Sequence, residues 1–180
     1  GLLLLRLPSV GLLDGRRWRL AQGHLGPVRA TGGGCRVASA VGCFSPDIPY
    51  PVLCLHGEQG SAKSTAAKVL KSLIDPNEAP LRKEPRDGRD VMISASHNHL
   101  LAYDNLSTLP PWLSDLLCCV TTGAGHSTRA LYTNDDEVLM TAKRPVVLTG
   151  INEVVNRSDL LDRSILLSLE PISEEKRRPE

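Results

Sequence analysis

A chain of 180 residues is long enough for one well-packed domain. Its net charge of +1 at pH 7 excludes a broad basic field, so any contact with nucleic acid must come from local basic residues or from several subunits acting together. Five cysteines with no CxxC pair and no metal-ligand spacing offer neither a disulfide framework nor a metal site, and fit reduced thiols in a cytoplasmic protein.

The first fifty residues differ from the rest. They hold nine of the 15 glycines and six arginines, with neither lysine nor glutamate, and no period of 2 or 3.6 persists after the opening leucines. GLLLLRLPSVGLL resembles a short signal core. Arg6 and Pro8 interrupt it, and it falls far below the roughly 20 apolar residues of a membrane span, so no membrane partner is expected. Residues 1–49 read as a poorly patterned leader, and Gly1 fits a fragment or a misassigned start.

From Tyr50 onward the pattern alternates strand, loop and helix, which predicts an α/β domain around a largely parallel sheet over residues 50–172. The apolar run PVLCL is the first buried strand. After His56 comes GEQGSAKST, residues Gly57, Glu58, Gln59, Gly60, Ser61, Ala62, Lys63, Ser64 and Thr65. Gly57, Lys63 and Ser64 sit at the offsets of the phosphate-loop pattern G-x-x-x-x-G-K-[ST], and Gly60 and Ser61 keep its middle small. Small residues let successive backbone N–H groups turn inward on an anion, and a helix starting at once aims its N-terminal dipole at the same charge. Ala62 stands where the pattern has its second glycine. A methyl group is the smallest addition and the position lies where loop becomes helix, so φ need not be positive there.

KSTAAKVLKSLI then predicts a helix with Ala66, Val69, Leu70 and Leu73 on its apolar face, stopped by Asp75-Pro76. LRKEPRDGRDVMISASH supplies an extended piece and a modest helix, and HLLAYDN a second buried strand ending in an acid. LPPWLSDLLCCV is a helix with Pro110 and Pro111 at its start, where proline is tolerated. Alternation around Asn134-Asp135 in GAGHSTRALYTNDDEVLMTAKRP predicts an inserted antiparallel β-hairpin. VVLTGIN is a third buried strand, and SDLLDRSILLSLEPI a short helix, capped by Ser158 or Asp159, followed by a fourth strand. Residues 173–180 read as a charged tail, and no C-terminal helical lid is expected within the sequence up to that point.

A nucleotide-binding loop needs a magnesium partner, an acid at the C-terminal end of a neighbouring strand, and Asp104 fits. Asn105 follows where many ATPases place a glutamate that activates water. Asparagine can orient a water but cannot accept its proton, which leaves water itself, Glu58, Asp135 or Asp136 as the base. Asn152, at the end of VVLTGIN, either bonds the γ-phosphate or the lytic water or caps the next helix. Arg163 could reach a nucleotide held by a neighbouring subunit.

In order, GEQGSAKST, LLAYDN, VVLTGIN and LLDR resemble the Walker A, Walker B, sensor-1 and arginine-finger regions of AAA+ class P-loop ATPases. Within that class the hairpin region is similar to superfamily 3 and related phage or plasmid primase-helicases, and HGEQGSAKST, DNLS and PPWLSD resemble ATP-binding proteins of bacteria and their phages. The resemblance implies a P-loop NTPase fold that binds ATP and Mg²⁺. Lys63 would bind the β- and γ-phosphates, Ser64 and Asp104 the Mg²⁺, and Thr65 the α-phosphate side. Asn152 would sense the γ-phosphate, and Arg163 would act in trans within a homo-oligomeric ring. Arg129 and Lys143, flanking the hairpin, would touch the phosphate backbone of single-stranded DNA. A nucleotide-dependent switch with little hydrolysis and a P-loop kinase are the competing readings.

Overall fold

The computed structural model describes residues 28–30, 49–124, 126–129 and 137–173. Its elements in chain order are β1 (Val28–Ala30), β2 (Val52–His56), α1 (Lys63–Ile74), α2 (Gly88–His97), β3 (Leu101–Leu106), α3 (Pro111–Thr122), β4 (His126–Arg129), β5 (Glu137–Met140), β6 (Val146–Gly150), α4 (Ser158–Leu161) and β7 (Ser164–Ser168). Five strands form one sheet in the order β1-β7-β2-β6-β3, and every pairing in it is parallel.

Both faces of that sheet are covered, as parallel sheets require, and alternate residues of each strand go to opposite layers. Leu53, Leu55, Ala102, Val147, Ile165 and Leu167 pack with Ala67 and Leu70 of α1. Val52, Cys54, Leu101, Tyr103, Val146, Leu148 and Leu166 face α2, α3 and α4 through Val91, Met92, Leu113, Leu117 and Leu160. Burial pushes the Cys54 thiol up to about 12, opposed by a hydrogen bond with Ser164, so this cysteine serves as apolar filling. The result is a three-layer α/β arrangement, consistent with Rossmann-like and P-loop-like folds.

Several expectations meet the structure with changes. Helix α1 has the expected ends, but its buried face is Ala67, Leu70 and Lys71, while Val69 and Leu73 stand 52% and 71% exposed. The helix is turned by about one residue, roughly 100°, from the predicted face because a lysine takes a core position. Neither Ser158 nor Asp159 caps α4. Its N-cap is Arg157, which makes no side-chain capping bond. Pro111 occupies the first turn of α3 as expected. Strands β4 and β5 pair antiparallel from His126↔Met140 to Arg129↔Glu137, the expected hairpin, and its tip lies outside the described residues. Three residues within 1–49 form β1, which pairs with β7 as a fifth strand.

The sheet order positions the site. The chain passes from β2 across to β3, returns to β6 between them, then crosses to β7 on the far side of β2. The direction of winding therefore reverses at β2, and the crevice beyond the C-terminal ends of strands at such a reversal is where open α/β sheets bind ligands.

Candidate functional site

The loop from Gly57 to Ala62 leaves the C-terminal end of β2 in that crevice. It is tied on both sides: the Gly57 N–H donates to the Ile151 carbonyl beyond β6 at 3.3 Å, and the Leu169 N–H beyond β7 donates to the His56 carbonyl at 2.8 Å. Gly57 has φ of 151°, and a Cβ there would run into the Leu169 carbonyl oxygen, so only glycine fits. The Ser61 hydroxyl donates to the Glu58 carbonyl at 2.8 Å, which closes the middle of the loop into a turn.

The Lys63 ammonium folds back over this turn. It donates to the Gly57 and Glu58 carbonyls, both at 2.7 Å, and to the Ser61 hydroxyl at 3.2 Å. Its charge is thereby held over the loop at the N-terminus of α1, where the helix dipole adds to it. The side chains of Glu58 and Gln59 are exposed.

Ala62 corrects an expectation. It is the N-cap of α1 with φ of 57° and ψ of 30°, in the left-handed region. The position therefore does require positive φ, and alanine occupies it with strain where glycine would have none.

Asp104 comes from the end of β3. The Ser64 hydroxyl donates to its Oδ1 at 2.8 Å, and the Thr149 hydroxyl donates to the same oxygen at 2.6 Å. Among the described residues no side chain donates to Oδ2. The Asn105 N–H in turn donates to Thr149 Oγ1 at 2.9 Å. Three elements thus meet at one carboxylate: α1 through Ser64, β3 through Asp104 and Asn105, and β6 through Thr149. Sequence reasoning stopped at Asn152 on that last segment and missed Thr149. Its signal was a hydroxyl at the end of an otherwise apolar strand, readable only once β6 is known to lie beside β3.

Other expected residues lie apart from this cluster. Asn152 is exposed beyond β6, with no side-chain hydrogen bond to the loop or to Asp104 among the described residues, and it does not cap α4. Arg163 precedes β7, where its carbonyl accepts from the Val52 N–H at 2.9 Å, and so lies at the end of the sheet opposite the loop. Its Nε donates to the Asp159 carbonyl at 3.2 Å. Lys143 also lies near that far end. Its ammonium sits 5.7 Å from the centroid of the Tyr50 ring, and its stem lies against Gly123. Arg129 is in β4, and Asp135 and Asp136 lie outside the described residues.

A groove of about 550 Å³ opens beside the loop, lined by Ala62, Thr65, Val69, Leu169, Glu170 and Ile172 among others. The outward turn of α1 that exposes Val69 supplies one wall. No three histidine, cysteine, aspartate or glutamate residues cluster as a metal cage among the described residues. No helix among them is long and apolar enough to cross a membrane.

A loop with a lysine over it and an acid bonded to the first hydroxyl of the next helix thus stand on a parallel sheet. A family model described as the actinomycete integrative conjugative element replication protein matches residues 28–180. The chain belongs to this family. The match begins at the first residue of β1 and spans every element of the sheet. Membership in a replication-protein family of a mobile element fits a DNA-associated role. No curated protein matches the chain.

Proposed function

We propose that this replication-family chain binds ATP with Mg²⁺ at the Gly57–Thr65 loop and hydrolyses it as the P-loop core of a DNA-associated motor. The observation that carries the reading is the joining of Ser64 to Asp104 Oδ1 beside a loop covered by the Lys63 ammonium. The ligand atoms offered there are hydroxyl and carboxylate oxygens, which suits Mg²⁺, an ion that is held by one or two carboxylates plus substrate phosphates and keeps several waters. Ser64 and Asp104 would hold the ion, which when bound supplies charge neutralisation at the phosphate oxygens.

The chain's own groups do the rest. Lys63 exchanges its contacts with loop carbonyls for phosphate oxygens, which are stronger acceptors for an ammonium. Thr65, the next hydroxyl on α1, faces the groove and would meet the α-phosphate side. The apolar wall of Val69, Leu169 and Ile172 offers the nucleoside a place out of water. Asn105 can orient water but not take its proton, and this one feature favours a second reading, a nucleotide-dependent switch that hydrolyses slowly. Single-stranded DNA as partner, through Arg129 and Lys143 of an oligomeric ring, is part of the motor reading, which the replication-family membership supports.

The test is ATP binding and phosphate release by the full chain with Mg²⁺, with and without single-stranded DNA, beside Lys63→Ala. Loss of the ammonium costs, net of the loop contacts it gives up, about one charge-assisted bond of roughly 1.5–3 kcal/mol, so ATP affinity should fall roughly 10- to 100-fold. DNA-stimulated release lost in the variant supports the motor, and binding without release supports the switch. Absence of nucleotide binding by the unaltered chain rejects both.

A further inference from the structure

Strands β3 and β6 are in register at Tyr103↔Leu148 and again at Leu106↔Gly150. Between these pairs β3 has two residues, Asp104 and Asn105, where β6 has only Thr149. That count is a β-bulge, and Asn105 within it has φ of 57°. A bulge takes an N–H out of the strand ladder and re-aims the side chains beside it. Here the displaced Asn105 N–H is satisfied by the Thr149 hydroxyl, and the re-aimed side chain is the Asp104 carboxylate, to which that hydroxyl donates.

Thr149 is 1% exposed, so its hydroxyl exchanges with no solvent partner. Both of its hydrogen-bonding functions are committed to the bulge, one accepting and one donating. At 2.6 Å the bond to Asp104 is in the range of a charge-assisted O–H···O⁻ contact. Together with Ser64 it engages Oδ1, and this fixes the rotation of the carboxylate so that Oδ2 is presented in a constant direction.

We propose that Thr149 is a positioning residue that sets the Asp104 carboxylate for a divalent cation and holds the Asn105 turn in the same act. The inference rests on the nucleotide reading above. It assigns to β6 a role in cation binding that acts through Asp104, since the Thr149 hydroxyl donates to the carboxylate.

The experiment compares the unaltered chain with Thr149→Val, which keeps the shape and removes the hydroxyl, and with Thr149→Ser, which keeps the hydroxyl. Affinity for a fluorescent ATP analogue is measured across a Mg²⁺ titration and in EDTA. Partners that orient a metal ligand are worth roughly 10- to 100-fold in metal affinity, so the Mg²⁺ midpoint of Thr149→Val should rise by about that factor. Its affinity in EDTA should not change, and Thr149→Ser should keep the original midpoint. In an Asp104→Asn background the valine should add nothing further. An unshifted midpoint, or an equal loss with and without Mg²⁺, overturns the proposal and leaves the nucleotide reading standing so long as the unaltered chain binds the analogue. Failure of the unaltered chain to bind any nucleotide overturns the parent reading and this one with it. Should the valine chain not fold, Thr149→Cys, a weak donor of similar volume, is expected to shift the midpoint the same way, and no shift there is equally fatal.

Discussion

Ala62 sits where an L-residue is strained, between a loop that turns sharply and a helix that starts at the next residue. The left-handed conformation costs an alanine roughly 1–2 kcal/mol, and glycine escapes that cost while losing about 0.5–1 kcal/mol through its freer unfolded chain. The strain term is the larger, so Ala62→Gly should stabilise the protein by about 0.5 kcal/mol, read as a higher urea midpoint at unchanged slope. Ala62→Val should destabilise it by more than about 1 kcal/mol, because branching at Cβ makes positive φ costlier still. A glycine variant less stable than the parent would mean that the left-handed backbone is not the native one. Asn105 holds the same region at lower cost, since asparagine visits it readily and its N–H has the Thr149 hydroxyl to bond.

Helix α1 is held to the sheet by a buried lysine as much as by apolar contact. Lys71, 2% exposed, donates to Asp75 Oδ2 at 2.6 Å, to the Leu100 carbonyl at 2.7 Å and to Asn98 Oδ1 at 3.1 Å. Asp75 also accepts from the His99 and Leu100 N–H groups at 2.7 and 3.0 Å, so the end of α1 is joined to the start of β3. Breaking such a pair on one side strands the other charge, and Lys71→Met should destabilise by about 3 kcal/mol in urea unfolding. Burial alone would raise the Asp75 carboxyl, but the bonds from Lys71, Leu100 and His99 together outweigh it and hold the carboxyl below its ordinary value. A depressed folded value means the contribution is present in full above the unfolded carboxylate range, about pH 4, and is lost as pH falls through the folded value. Asp75→Asn should therefore be less stable at neutral pH and show a flatter fall in melting temperature between pH 5 and 2. An acid limb as steep as the parent's would show that Asp75 contributes nothing to it. The same helix marks what the sequence could reveal. Its ends follow from the loop pattern and Asp75-Pro76, whereas its buried face does not, because a hydrophobic pattern assigns lysine to solvent and this lysine is paired inside. β1 was hidden for another reason: three residues are too few to show a period, and only pairing with β7 defines them. The loop and Ser64 could be placed from motif spacing, and Asp104 from the apolar run that ends on it. Thr149 was not, since its partners lie 44 and 45 residues away and depend on the sheet order.

At the scale of the molecule, the distance between the two ends of the sheet decides how Arg163 could take part. The loop follows the C-terminal end of β2, and Arg163 precedes the N-terminal end of its parallel neighbour β7. Five strand residues at about 3.3 Å each separate those levels by roughly 16 Å, beyond the reach of an arginine side chain to its own loop. Under the motor reading, Arg163 can serve only a nucleotide held by another copy, which requires a head-to-tail interface where unlike ends of neighbouring chains meet. That geometry makes a quantitative forecast. Lys63→Ala chains keep the arginine and lose the site, whereas Arg163→Ala chains keep the site and lose the arginine. In an equal random mixture, about a quarter of head-to-tail interfaces join an intact site to an intact arginine, so hydrolysis should return to about a quarter of the parent rate though each variant alone is inactive. A phosphate-release assay across mixing ratios should peak at one to one. A mixture no more active than its components would exclude action in trans, and because the sheet excludes action in cis, Arg163 would then have no part in the chemistry.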